Sequence, residues 1–420
     1  MGTDEFMILL YLNIDKYLLS LAISLLLLYP IFKKYTHGVI DPMFYQVFMA
    51  ALANAIPIFL YVTDTIDIQQ FLYVISAESA FWLGFAFLGK TDFKLKPNIL
   101  VENENVNINI FFTLLFIYVL VKVTAFVLLG LPILMGSRLE MYADSGGLGV
   151  LERLSTLPAF FCVTYSFHIL NKVQYIRFWA YVTFFIVIVF SILSGSKGAI
   201  LLITFCFFSY TYLYQEKVIL LKNFLKYTPF IIAIPLIIIF IQSSDGSSAF
   251  DALIIRFVAN GDVYYESLPG NNIDSIHISD RFIYYFSNIL WPLRIINMAN
   301  VDTVIGFQLL WSLSDSYFGT MSGPNTRVPI LGWVFFRWGG VIFCFFQGLA
   351  TSFLMFRSTS FLPRSVLTSI YIGYVYYSMT VFVTDPGLGV SAVFDVSMNT
   401  IILFCIFLIY NRSTFIRIIK

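Results

Sequence analysis

Charge is what this sequence has least of. Asp, Glu, Lys and Arg make up 12% of its 420 residues, where soluble chains carry roughly 25%. Hydrophobic residues reach 59% and aromatics 19%. A chain so composed cannot cover a water-facing surface, which excludes a soluble globular protein and defines an integral membrane protein. Cysteine is also scarce. Cys162, Cys206, Cys344 and Cys405 all fall within long apolar runs, where a thiol behaves as a small apolar group, so no disulfide is expected. The three histidines, His37, His168 and His277, are far apart. There is no His-Glu-x-x-His, Cys-x-x-Cys or Asp-x-Asp metal pattern and no Gly-x-Ser-x-Gly elbow, so neither a metal nor any other cofactor is expected. The Ser-Gly-Ser-Lys-Gly run at 194–198 lacks the Gly-x-x-x-x-Gly-Lys-Ser/Thr spacing of a phosphate loop, which excludes ATP binding by that route. The N-terminus carries neither a basic leader nor a small-residue cleavage site, and no cleavable signal is expected.

What is present is a succession of membrane-length apolar windows. A span needs about 17–25 apolar residues, and such windows occur at 8–32, 43–62, 68–89, 108–130, 153–171, 178–195, 198–214, 227–241, 329–356, 365–383 and 397–411. The expected fold is therefore an all-α polytopic membrane protein of about 11 transmembrane helices, give or take one. Lys33 and Lys34; Lys90, Lys94 and Lys96; Lys172 and Arg177; Lys217, Lys222 and Lys226; Arg357 and Arg364; and Arg412, Arg417 and Lys420 lie on alternate connections. The positive-inside rule makes those connections cytoplasmic. The stretch 242–328 then faces outward, as a helical insertion between a bundle at 1–241 and closing helices at 329–420.

That insertion contains no cysteine, and its apolar runs at 249–259, 282–296 and 303–313 are too short to span comfortably. They read as interfacial or re-entrant helices. Within the windows, Glu78, Lys122 and Arg337 share a depth of roughly 12–15 Å at the helical rise. A charge at the bilayer centre costs on the order of 2.5–3.5 kcal/mol on insertion scales, so Glu78 and Lys122 are expected to pair. That pairing leaves Arg337 to be satisfied by carbonyls, to snorkel outward, or to line the floor of a water-filled anion cavity.

Arg256, Arg281, Arg294 and Arg327 occupy the insertion. Singly, each balances an acidic neighbour on a solvated surface. Together they flank apolar runs, and guanidinium forks match phosphate oxygens bidentately. A lipid pyrophosphate needs both features. The tight turn at 194–198 exposes backbone N–H groups beside Lys197, which suits either a phosphate contact or a plain helical hairpin.

The stretches Arg256-Phe-Val-Ala-Asn-Gly-Asp-Val-Tyr-Tyr-Glu-Ser-Leu-Pro269, Ser287-Asn-Ile-Leu-Trp-Pro292, Gly323-Pro-Asn-Thr-Arg-Val-Pro-Ile-Leu-Gly332 and Leu193-Ser-Gly-Ser-Lys-Gly-Ala199 together resemble Wzy-type O-antigen or oligosaccharide repeat-unit polymerases. The resemblance covers mainly residues 190–350. Where the family's turn often reads Ser-Arg, this chain has Ser196-Lys197, and an Arg-x10-Gly spacing is met at neither Arg256 nor Arg327. The resemblance implies a GT-C-type membrane fold shared with O-antigen ligases and cell-wall polymerases. It implies a glycosyltransferase of the bacterial inner membrane, with its site facing the periplasm, that moves a glycan from undecaprenyl pyrophosphate to the next lipid-linked repeat unit. The implied partners are that lipid-linked oligosaccharide, membrane lipid, a chain-length regulator and a flippase, with no nucleic acid. Arg256, Arg327, Lys197, Arg281 and Arg337 would stabilise the leaving pyrophosphate. His277, Asp262 or Glu266 would take the proton of the acceptor hydroxyl. A ligase of the same fold, a lipid-linked oligosaccharide flippase and a non-catalytic scaffold are the alternative readings.

Overall fold

The computed structural model describes residues 1–88, 103–134, 150–195, 199–217, 254–255, 257–297, 300–319 and 323–410. Among these residues the regular structure is helical, with no strand. The window at 227–241, Arg256 and Lys197 lie outside the described residues.

The N-terminal window is two helices. α1 (Thr3–Leu12) ends at Asn13, whose side-chain amide donates to the Leu9 carbonyl at 3.1 Å, and α2 (Ile14–Tyr35) begins immediately after it. α3 (Pro42–Val62) starts where helix rules put it. Proline occupies the first turn and Asp41 caps the Met43 N–H at 2.8 Å. α4 (Ile68–Leu88), α5 (Glu104–Leu129), α6 (Val150–Lys172) and α7 (Arg177–Leu193) follow, with Gly130 at φ 84 ending α5. α8 (Ala199–Phe208) widens into a π-turn at Ser209–Tyr214. The insertion supplies α9 (Asp262–Ser267), α10 (Arg281–Leu290) and α11 (Ile305–Leu313). α12 (Val328–Phe336), α13 (Gly340–Ser352), α14 (Val366–Met379) and α15 (Pro386–Tyr410) complete the chain.

Among the described residues, eight helical stretches are by length and composition apolar enough to cross a membrane, one of them the bent stretch Val328–Arg357, and Leu201–Tyr214 is a shorter apolar helix. The molecule is a multi-pass membrane protein. α3 is the most buried of these stretches, with α2 and α4 against it. α4 and α13 cross at their glycines. A methyl group on Gly84 would strike the Phe345 carbonyl, and one on Gly348 would strike that of Phe81. Small residues at such crossings let two backbones meet, which is how helices associate where no hydrophobic force drives them together.

The window at 329–356 is not one straight helix. α12 and α13 fold back on each other. Gly332 lies against Gly340, and the Cys344 thiol reaches the Val328 carbonyl at 3.6 Å. In a continuous helix, the 16 residues separating that second pair would hold them about 24 Å apart. The Tyr73 ring meets Trp333 on one arm at 4.7 Å and Trp338 on the other at 5.6 Å. Arg337 makes the turn, at φ 52. It is exposed and paired with Asp274, on the insertion. The deep intramembrane position expected for Arg337 is thereby overturned, because hydropathy registers composition and not the reversal that the paired glycines permit.

The expected Glu78–Lys122 pair is also absent. Lys122 joins Glu152 at 2.6 Å, and the next residue, Arg153, joins Asp395 of α15 at 3.3 Å. Glu78 belongs to the site described next.

Of the insertion's apolar runs, 282–296 and 303–313 form α10 and α11, and most of 249–259 lies outside the described residues. The chain then plunges into the bundle. Gly261 packs against Ala53 and Ile56 of α3, with no room for a side chain. α9 climbs from there until the Leu268 carbonyl accepts from Gln70 at 2.7 Å. Glu78 stands two turns below Gln70 on α4, roughly 12 Å at the helical rise.

Candidate functional site: a buried arginine among carboxylates

Two discontinuities of the chain meet beside the middle of α4. From α9 comes Tyr264, and from the first residue before α12 comes Arg327. Both converge on Glu78. The Tyr264 hydroxyl donates to Glu78 Oε1 at 2.8 Å, and Arg327 donates to the same oxygen through an Nη at 3.3 Å and to the Tyr264 oxygen through Nε at 3.3 Å. The three side chains are buried, Arg327 to 2% exposure. An arginine placed there without a carboxylate would leave an uncompensated buried charge.

The local sequence explains how Arg327 is delivered. Gly306 and Gly323 touch backbone to backbone, and a side chain on either would collide with the other strand of chain. This contact brings the extended 323–327 segment under α11. Pro329 then starts α12, and its carbonyl accepts from the Tyr73 hydroxyl at 2.8 Å.

Asp262 and Asp385 also feel the charge of this arginine, and Glu266 is the neighbour of Asp262. Asp262 and Glu266 lie one turn apart on α9, and Asp385 occupies the turn between α14 and α15. Burial pushes Glu266 up to about 7 against the opposing charge of the Met1 ammonium, and the residue is only 4% exposed, with Oε2 buried and without a hydrogen-bond partner among the described residues. Asp262 is held well above the usual range, first by burial and then by the charge of Glu266, while Arg327 acts in the opposite direction. Burial likewise raises Asp385. Backbone N–H groups of Leu388, Gly387 and Thr326 and the Arg327 charge oppose that rise. Glu266 is therefore a group that exchanges a proton near neutrality, as a general base or acid must.

The structure brings Asp262 within the field of both Glu266 and Arg327 and sets the other candidates apart. Arg337 sits at the far end of α12, ten residues or roughly 15 Å from Arg327 at the helical rise, and Arg281 of α10 reaches the same end. Both are exposed. The Arg281 guanidinium lies over the Phe336 ring at 5.6 Å and that of Arg337 over Trp333 at 5.4 Å. They form a rim of cations on aromatic rings. His277 is exposed, and the fold uses its backbone. Its N–H donates to the Gln308 side chain at 2.9 Å, and its carbonyl accepts from that side chain at 3.1 Å. Arg294 is exposed at φ 55, just beyond α10.

Sequence reasoning flagged Glu78 but gave it the wrong partner. It missed Tyr264, one of 26 tyrosines, and Asp385, which reads as an ordinary turn residue before Pro386. Neither carries a local signal. Among the described residues, no group of three or more His, Cys, Asp or Glu is arranged to hold a metal ion. The four cysteines are free thiols. The chain matches no protein-family model, no curated protein and no solved structure.

Proposed function

We propose that this protein is a glycosyltransferase that polymerises undecaprenyl-pyrophosphate-linked oligosaccharide repeat units, as in O-antigen synthesis, at the periplasmic face of a bacterial inner membrane. The observation that carries the reading is Glu266, buried, ionising near neutrality and one turn from Asp262, which in turn feels the charge of an arginine fixed by Glu78 and Tyr264. In this scheme the acceptor hydroxyl passes its proton to Glu266 or Asp262 as its oxygen bonds to the anomeric carbon. The bond from that carbon to the lipid pyrophosphate breaks, and the pyrophosphate leaves as an anion. A leaving group of this kind needs charge stabilisation more than protonation. Arg281 and Arg337 on the rim supply it, together with Arg256 and Lys197. Arg327, already engaged by Glu78, sets the potential felt by Asp262 and Asp385. The aromatic rim gives the sugar rings a surface against which to stack.

The test is an assay of purified protein in liposomes with a synthetic polyprenyl-pyrophosphate repeat unit. A ladder of products supports polymerisation. Transfer of a single unit onto a different lipid would instead make the protein a ligase. Glu266→Gln should lower the rate by about 10²–10⁴-fold, the usual range for an acid–base group. An unchanged rate in that variant would remove Glu266 from the chemistry.

The α12/α13 hairpin favours one further reading. Half-length helices meeting buried titratable groups are also how secondary transporters build ion-coupled sites. Movement of the lipid-linked saccharide across the liposome membrane without any new glycosidic bond would support a flippase.

A further inference from the structure

A pocket at the opposite, basic end of the molecule takes no part in the site above. It lies between α5, α14, α15 and the connection that follows Arg357, with a volume of about 370 Å³. Ile110, Phe361, Leu403 and Phe407 supply apolar walls. Four hydroxyls also reach it, and each is already satisfied by the protein. Tyr371 and Thr400 bond to each other at 3.0 Å, and Thr400 also donates to the Val396 carbonyl at 2.6 Å. Ser358 donates to the Leu354 carbonyl at 2.6 Å, and Thr368 accepts the Ser365 N–H at 2.8 Å and donates to the Pro363 carbonyl. A pocket whose polar atoms ask nothing of a ligand suits hydrocarbon and disfavours a sugar or nucleotide, which would lose its own hydrogen bonds on binding. It is also open to the side, since Phe361 is 63% and Phe404 54% exposed.

Charge indicates which hydrocarbon. The connection that walls the pocket runs from Arg357 to Arg364 and contains no acidic residue. Arg357 is exposed beside Ser358, whereas Arg364 is engaged by Glu216 at 2.7 Å. Basic residues at a membrane surface attract anionic headgroups. We infer that the pocket holds one acyl chain of an anionic phospholipid of the leaflet at the basic end, with its phosphate drawn to Arg357.

The experiment is native mass spectrometry of the full-length protein, delipidated and titrated with phosphatidylglycerol or with phosphatidylcholine. Wild type should retain one phosphatidylglycerol more strongly than the rest, and more strongly than any phosphatidylcholine. Leu403→Trp, which fills the pocket, should lose that one lipid and keep the others. Arg357→Gln should keep the pocket but bring the two headgroups to equal retention. Thr400→Phe offers a second way of filling it, and a thermal melt on each variant establishes that it is folded. An unchanged count of tightly held lipid in both filled variants would overturn the pocket as the site. Equal retention of the two headgroups by wild type would overturn the anionic assignment.

Discussion

Arg327 and Glu78 lie 249 positions apart in sequence and 3.3 Å apart in space, with the Tyr264 hydroxyl bonded to the same carboxylate oxygen. The pair ties the start of α12 to the middle of α4, and Tyr264 ties α9 to both. Three segments that cannot be recognised as neighbours in the sequence thereby become one site.

Removing one partner of a buried pair leaves the other charge uncompensated, at a cost of about 3–5 kcal/mol. Glu78→Ala and Arg327→Ala should each destabilise the protein by that order in denaturation measured in detergent. Replacing both by leucine should cost much less than the sum of the single changes. Additive losses would show that the two side chains do not act as a pair.

The hairpin is tested by proximity. With the other cysteines removed, Val328→Cys and native Cys344 should be joined by a short thiol cross-linker in the folded protein. A straight helix through 328–344 would keep them roughly 24 Å apart, so absence of the cross-link would restore a single span.

Glu266 gives a pH dependence of defined sign. Its folded pKa, about 7, lies above the ordinary 4.5, so the folded state binds the extra proton between those values. The contribution of Glu266 to stability is greatest below about 4.5, falls as pH rises toward 7 and is level beyond. The loss is on the order of 3 kcal/mol. Glu266→Gln should flatten this slope, and an unchanged slope would place the titration elsewhere. Activity should move the opposite way, rising through pH 7 as the base ionises. A pH profile alone does not name the residue that acts as base. The His277→Gln and Glu266→Gln variants do so. His277→Gln is expected to retain most of the turnover, and a fall of 10²-fold or more would return the role of base to the imidazole.

Orientation is tested by labelling. Asn103 and Asn271 are both exposed and belong to opposite ends of the bundle. A cysteine at Asn271 should react with an impermeant thiol reagent added to intact cells, and one at Asn103 should not. The reverse pattern would invert the topology.

The amino-acid sequence by itself determined that the chain is a helical membrane protein and where most of its helices lie. The windows at 43–62, 68–89 and 108–130 correspond to α3, α4 and α5, because in a membrane each helix satisfies its own backbone and apolar length is a sufficient signal. It also marked Asp262, Glu266 and Arg327 as chemically interesting. What it could not give is which charge meets which. Glu78, Lys122 and Arg337 share a depth when counted along straight helices, yet their partners are Arg327, Glu152 and Asp274. Only the tertiary structure decided this. Gly332 and Gly340 fold one apolar run back on itself, Gly261 lets the start of α9 lie against α3, and Gly306 against Gly323 carries Arg327 beneath the insertion. Each is a close approach between distant backbones, made by residues without side chains, and hydropathy has no term for it. The proton affinity of Glu266 has the same origin, since burial raises it and burial is a property of the assembled fold.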